Sequence, residues 1–289
     1  YYNRKVEVLL HECEFAFALC NVLFGDGKLY TSDLLEKFWK EILLYQFHDV
    51  LPGSSIRRVY EETHSRYEVI INKLSVLRDE AYLKIASKVD TTHMVSPVIV
   101  FNSLSFDRKE IVKSGSKRFK VTVPALGYKV YDLKSNVEHQ KINSTVAKDN
   151  VLENEIIKIT FENDGSIKSI YDKKIRREIL KDKGNRLAVY YDEYNNWDID
   201  KRYLSQDAEH PDLISMTEFN NPMESGFEMC YKYRDSVIRQ KVSIQDDSAR
   251  IDFKTNISWN ETFKMLRTCF PVDIISDNAK CEIQFGYIS

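Results

Sequence analysis

The chain has 289 residues, with 42 basic against 44 acidic side chains and a formal charge of −2, a balance that excludes the broad cationic face of a nucleic-acid-binding protein. Gly 9 and Pro 6 fall well under the combined ~12% of an average protein, which excludes collagen-like repeats and long disordered arms. No apolar run approaches the ~18 residues of a membrane span, and the N-terminal stretch mixes charged with apolar groups rather than forming a signal peptide. A soluble chain with no membrane partner and a cytoplasmic location is therefore expected.

Leu9, Leu10, Cys13, Phe17 and Cys20 recur at helical spacing, and Leu34, Leu35, Phe38, Ile42 and Tyr45 repeat the pattern. The sequence thus predicts two amphipathic helices. Pro52 and Gly53 break the period. With Ser54 or Ser55 as N-cap, the apolar positions Ile56, Val59, Tyr60, Tyr67, Ile70, Ile71, Leu74 and Leu77 carry a long third helix toward Val89. Three antiparallel helices with short joints make a bundle.

From about Pro97 the period changes to two. Residues 97–101, 118–123, 128–133 and 250–259 read as strands. Asn163-Asp-Gly-Ser166 joins 156–161 to 167–171 as a hairpin turn, its Asp-Gly pair supplying the positive φ such a turn requires. The basic run Lys173–Arg177 falls on the solvent side of that hairpin. The expected fold class is α+β: a three-helix bundle over residues 1–93 that carries a His-Asp loop, then a large antiparallel β-sandwich over 94–289.

The cysteines Cys13, Cys20, Cys230, Cys269 and Cys281 are odd in number with no CxxC pair. This fits reduced, mostly buried thiols in a cytosol-like compartment better than a disulfide framework. Sequons begin at Asn143, Asn256 and Asn260, about the number chance places in a chain this rich in Asn, Ser and Thr. Walker motifs, GxSxG elbows and Gly-rich phosphate loops are absent, which leaves phosphoryl transfer and serine hydrolysis without support.

Chemistry concentrates in two stretches. The first is Leu43-Leu-Tyr-Gln-Phe-His-Asp-Val-Leu-Pro-Gly-Ser-Ser-Ile56. It places His48 and Asp49 in the last turn of the second helix, just before a forced reversal. Adjacent helical residues point about 100° apart, so the pair cannot clamp one ion. It can offer one ligand and a neighbouring carboxylate, or simply a histidine favoured by the helix C-terminus. His11, His64, His93, His139 and His210 have no HxH or HxxxH partner and read as surface or packing residues, since zinc needs three or four ligands. The second stretch is Tyr190-Tyr-Asp-Glu-Tyr-Asn-Asn-Trp-Asp-Ile-Asp200. If extended, it would set Asp198 and Asp200 on one face, with Trp197 and Tyr194 as flat surfaces. Rings beside carboxylates suit sugars, because a ring covers the C–H face while a carboxylate accepts hydroxyl protons. An exposed acidic loop with one aromatic anchor is the alternative.

Gln46-Phe-His-Asp-Val-Leu-Pro-Gly-Ser-Ser-Ile56 resembles the signature loop of the glycoside hydrolase family 38 α-mannosidases, in the branch with cytosolic and bacterial enzymes. The resemblance continues in order through Asn3-Arg4 with Leu9-Leu10, Val100-Phe-Asn-Ser-Leu104, Asn163-Asp-Gly165, Trp197-Asp-Ile-Asp200, Ile257-Ser-Trp259, Phe270-Pro-Val-Asp273 and Glu282-Ile-Gln-Phe-Gly286. It implies a retaining, zinc-dependent enzyme that removes α-linked mannose from oligosaccharides or glycans. It also implies His48 as a zinc ligand and Asp49 as a sugar contact beside the metal; Trp197 and Asp198 are candidate substrate-binding residues on the ring-beside-carboxylate reading. The nucleophile and acid/base belong, on this resemblance, to an α/β catalytic domain upstream of residue 1, the chain's partner within the same polypeptide. No catalytic residue is assigned here. The chain opens on Tyr1, and a start upstream and a sandwich truncated at its C-terminal end are expected.

Tyr45 stands where the family has asparagine, and Tyr194-Asn-Asn196 replaces the family's run beside the tryptophan. These departures support a second reading, a non-catalytic carbohydrate-binding or interaction protein on the same scaffold. The sequence leaves room for a homo-oligomer.

Overall fold

The structure, a computed structural model, describes residues 1–25, 32–135, 145–193, 197–283 and 286–289. Among the residues singled out above, His139, Asn143, Tyr194, Asn195, Asn196, Gln284 and Phe285 lie outside the described residues. The chain divides into two compact units, Tyr1–Gln140 with Asn195–Ile199, and Lys141–Tyr194 with Asp200–Ser289.

In the first unit, helices α1 (Tyr2–Phe24), α2 (Ser32–Tyr45) and α3 (Arg57–Ala86) precede strands β1 (Pro97–Asn102), β2 (Arg108–Ser114), β3 (Lys117–Val123) and β4 (Gly127–Asp132). The helical spacing read from the sequence becomes a single core. Leu9, Leu10, Cys13, Phe17 and Cys20 of α1 meet Leu35, Phe38 and Ile42 of α2 and Tyr67, Ile70, Ile71 and Leu74 of α3. Cys13 and Cys20, two turns apart, donate to the carbonyls of Leu74 and Ala81 at 3.3 and 3.5 Å. They therefore belong to the packed stripe, and burial pushes the Cys13 thiol up to about 12. α1 ends at Gly25 in a left-handed conformation with φ 62°, its N–H capping the Asn21 carbonyl.

The start of α3 departs from expectation. Its N-cap is Ile56, which makes no side-chain cap, because both serine hydroxyls are drawn instead to the carbonyl of Asp49. The helix also stops at Ala86, short of Val89.

β1 pairs antiparallel with β4 and β2 with β3. Phe119, Val121, Val123, Tyr131 and Leu133 form their own small core. These strands belong with the helices: Phe101 packs on the helical core and stacks on Tyr82, ring centroids 4.2 Å apart. The change of local structure near residue 93 is thus internal to the first compact unit, because aromatic packing from β1 joins it to α3. The strand ends are tied by two buried side chains. Asn102 donates to the carbonyls of Phe106 and Pro124 at 2.8 and 3.0 Å. Asp132 accepts from the N–H groups of Ser96 and Lys134, each at 3.0 Å.

The second unit contains β5 (Val146–Lys148), β6 (Val151–Glu153), β7 (Ile157–Phe161), β8 (Ile167–Asp172) and β9 (Arg177–Glu178), hydrogen-bonded in that order as a five-stranded antiparallel sheet. It also contains β10 (Arg186–Tyr191), then the meander β11 (Asp212–Asn221), β12 (Glu224–Tyr233), β13 (Ser236–Gln245) and β14 (Ile251–Ser258). β15 (Lys264–Cys269) pairs with β10, and β16 (Cys281–Ile283) with β17 (Gly286–Ile288). The five-stranded sheet and the meander bury one shared core, with Leu152, Ile159, Phe161 and Ile167 from one and Phe227, Tyr231, Ile238 and Val242 from the other. This is a sandwich, the solution for two sheets each apolar on one face.

The β7–β8 hairpin has its turn at Asn163–Ser166. Gly165 sits at φ 79°, and a Cβ there would stand 2.3 Å from the buried Tyr231 hydroxyl of β12. Glycine is required twice, for the turn and for the close approach of the opposite sheet. The basic run between β8 and β9 lies at an exposed tip. The five cysteines are free, but only Cys13 and Cys20 are buried; Cys269 and Cys281 are exposed, which corrects the expectation of mostly buried thiols. Among the described residues no helix is long and apolar enough to cross a membrane.

Candidate functional site

α2 ends at Tyr45, so His48 and Asp49 lie beyond it, in consecutive turns rather than in its last helical turn. Pro52, which disfavours a helical residue before it, and Gly53 at φ 86° make the reversal that ends the helix early. The turns close on themselves: Val50 and Leu51 donate to the Phe47 carbonyl at 2.8 and 3.1 Å, and Gly53 to Val50 at 3.3 Å.

Polar pairs tie the root of this loop to the bundle. Gln46 donates to Glu7 of α1 at 2.6 Å. Tyr45 donates to Glu41 at 2.7 Å, and Arg66 of α3 grips the same carboxylate through two nitrogens at 2.6 and 2.9 Å. Burial first, and then the Glu41 charge, push the Tyr45 phenol up to about 12. The Arg66 contact lowers the Glu41 carboxyl from its ordinary range. The tyrosine that departs from the family pattern is therefore a hydrogen-bonded part of the helix packing.

Both site side chains at the loop tip are open to solvent. His48 Nε2 stands 3.9 Å from Asp49 Oδ2, with 65% and 53% of the two side chains exposed. Phe47 lies 4.0 Å from the imidazole, centroid to centroid, and the distant Trp197 meets the same ring at 5.8 Å with the planes at 62°. Trp197 is itself 54% exposed. The fold thus brings together His48, Asp49 and Trp197, three of the four residues singled out. Asp198 follows in an exposed, irregular stretch.

Residues 197–200 form no strand, and Asp200 has a separate use. It caps the 3₁₀ helix Lys201–Ser205, accepting from the Arg202 N–H and guanidinium at 2.8 and 2.7 Å. Aspartate one residue before a helix prefers that role.

An exposed imidazole beside a carboxylate and an indole can ligate a metal through one nitrogen, accept hydroxyl protons and cover the apolar face of a ring. It cannot by itself complete a zinc site. Among the described residues no group of three or more His, Cys, Asp and Glu could hold a metal ion. His210 is committed elsewhere, to the Leu187 carbonyl at 2.7 Å and Arg186 at 2.8 Å, and His11 to the Ser103 carbonyl at 2.9 Å. The sequence reading missed Phe47 as a ring partner of His48, although its place beside the histidine was a signal.

Residues 1–85 match the alpha mannosidase middle domain, and residues 152–289 match the glycosyl hydrolases family 38 C-terminal domain. Alpha-mannosidase G of Dictyostelium discoideum is 26% identical over 99% of this chain and 32% of its own length. Alpha-mannosidase 2C1 of Homo sapiens is 26% identical over 99% and 29%, and an alpha-mannosidase of Saccharomyces cerevisiae 28% identical over 98% and 26%. The chain therefore spans about a third or less of the length of these relatives. The crystal structure of an alpha-mannosidase from Enterococcus faecalis V583 has the same α+β fold, with a TM-score of 0.76 over 97% of this chain and 43% of that one at 17% identity. Matched in order by both domain families, the chain belongs to glycosyl hydrolase family 38, in its middle and C-terminal regions.

Proposed function

We propose that this chain is part of a zinc-dependent, retaining α-mannosidase that hydrolyses α-linked mannose from oligosaccharides or glycans in the cytoplasm. The observation that carries the reading is the His48–Asp49 pair, exposed on the loop of the matched middle domain and set against Trp197. His48 would give zinc one imidazole nitrogen, the other ligands coming from a preceding domain of the same polypeptide. Such an ion, when bound, supplies the positive charge that holds two sugar hydroxyls. Asp49 accepts a hydrogen bond from a neighbouring hydroxyl, Trp197 covers the C–H face of the mannose ring, and Asp198 offers a second acceptor. Five free thiols fit the reducing compartment.

A retaining mechanism needs a nucleophile and an acid about 5 to 5.5 Å apart. Those residues are expected outside this chain, so the chain alone hydrolyses no α-mannoside. The test is release of a chromogenic α-mannoside by the 289-residue chain and by the polypeptide extended upstream, each with zinc and with a chelator. Chelator-sensitive release by the extended polypeptide alone supports the proposal. No release by either, or robust zinc-dependent release by the short chain, overturns it.

Tyr45, in place of the family's asparagine beside this loop, favours the second reading, a non-catalytic carbohydrate binder. Calorimetry with mannose separates the two: binding heat without hydrolysis by the extended polypeptide identifies a binder.

A further inference from the structure

The loop that carries His48 and Asp49 has little apolar burial to hold it. Phe47 and Leu51 are 49% and 57% exposed, and its turn bonds close within the loop itself. What fixes its far end is a set of hydroxyls. Tyr60, in the first turn of α3, accepts the Ser55 N–H at 3.0 Å and donates a bond shared between the carbonyls of Asp49 and Val50, each at 3.3 Å. The hydroxyls of Ser55 and Ser54 reach the same Asp49 carbonyl at 2.8 and 3.3 Å. One phenol thus joins the carbonyls of Asp49 and Val50, just after His48, to the N–H of Ser55, just before the α3 cap.

Helix geometry explains why the contact forms. α3 starts at Arg57 with no capping side chain on Ile56, although the start of a helix leaves several N–H groups without partners. Ser55 is the residue before the cap and Tyr60 the fourth residue of the helix. These are the positions where an apolar contact commonly fixes the angle at which a chain enters a helix. Here a hydrogen bond takes that place and extends across the loop to Asp49.

We propose that Tyr60 is a positioning residue for the His48–Asp49 site. Its hydroxyl, with that of Ser55, holds the Asp49 peptide and so sets the direction in which the imidazole faces Trp197. The relevance to mannosides rests on the function proposed above; the geometry does not, and it is tested without sugar or metal.

The experiment is NMR of the 289-residue chain with histidine labelled, comparing Tyr60→Phe, Ser55→Ala and Trp197→Ala with the parent. Phe47 and Trp197 lie close enough to shift the His48 ring protons, and Trp197→Ala calibrates the indole's share. Tyr60→Phe keeps the ring and removes only the hydroxyl. Loss of a hydrogen bond of about 0.5–1.5 kcal/mol corresponds to about 2- to 10-fold faster exchange of the Ser55 amide. It should also move the His48 resonance in the direction that Trp197→Ala moves it. Ser55→Ala should produce a smaller change of the same sign. A His48 resonance unmoved in Tyr60→Phe overturns the proposal, even where Ser55 exchange accelerates, because Tyr60 would then merely cap the helix.

Discussion

The imidazole of His48 meets the indole of Trp197 edge-on, centroids 5.8 Å apart, although the two residues belong to distant parts of the sequence. Trp197 belongs to the first compact unit while the strands on either side of it in sequence, β10 and β11, belong to the second. The short stretch around it therefore groups with the unit that carries the His48 loop.

Trp197 is exposed and lies outside the buried cores, so it is dispensable for stability. Trp197→Ala should shift the unfolding midpoint by no more than a surface substitution, within about 0.5 kcal/mol. In an extended polypeptide that hydrolyses α-mannosides, loss of ring stacking worth about 0.5–1.5 kcal/mol should weaken kcat/KM about 2- to 10-fold. Parallel melting curves and steady-state kinetics check both halves; a large fall in stability with unchanged kinetics would make the tryptophan a packing residue.

The helical core should respond in the opposite way. Leu74 is fully buried among α1 and α3 residues, so Leu74→Ala removes packing and leaves a cavity, at a cost of about 2–5 kcal/mol. Denaturant titration followed by helical circular dichroism is the measurement.

Gly165→Ala places a methyl at φ 79° and against the Tyr231 hydroxyl. Overpacking of this kind costs about 1–3 kcal/mol, and the strained backbone adds to it. Part of the loss should return in a Tyr231→Phe background, which removes the nearest atom but leaves the ring carbon 3.0 Å away. A double-mutant cycle that shows no coupling between the two sites would contradict this packing.

Asp132 governs part of the acid limb of stability. N–H groups of Lys134, Val95 and Ser96 and the Ser135 hydroxyl hold its carboxyl down at about 2, against ~3.9 in an unfolded chain. The folded state thus prefers the charged form: the contribution is complete above the unfolded value and disappears as pH falls through the folded one. Stability of the parent should drop between about pH 5 and 2, and Asp132→Asn should be less stable near neutrality with a shallower slope across that window. Urea midpoints at several pH values read this directly.

Periodicity alone determined the three helices and, beyond Pro97, the strands β1, β3, β4, β7, β8 and β14, because burial on one face imposes a repeat on each segment independently of its neighbours. The Asp164-Gly165 turn was equally legible, since the positive φ is a local demand. The loop at His48 was visible from its residues, as was Trp197 as an aromatic beside carboxylates. Short-range hydrogen bonds and turns, which leave no periodic trace, ended α2 at Tyr45, left Ile56 as the α3 cap by drawing Ser54 and Ser55 to the Asp49 carbonyl, and spent Asp200 on a 3₁₀ cap. Tertiary structure alone attached the first four strands to the helices through Phe101 and Tyr82, and set Trp197 beside His48. These last contacts depend on which ring is nearest in space, a competition among distant residues that no local repeat records.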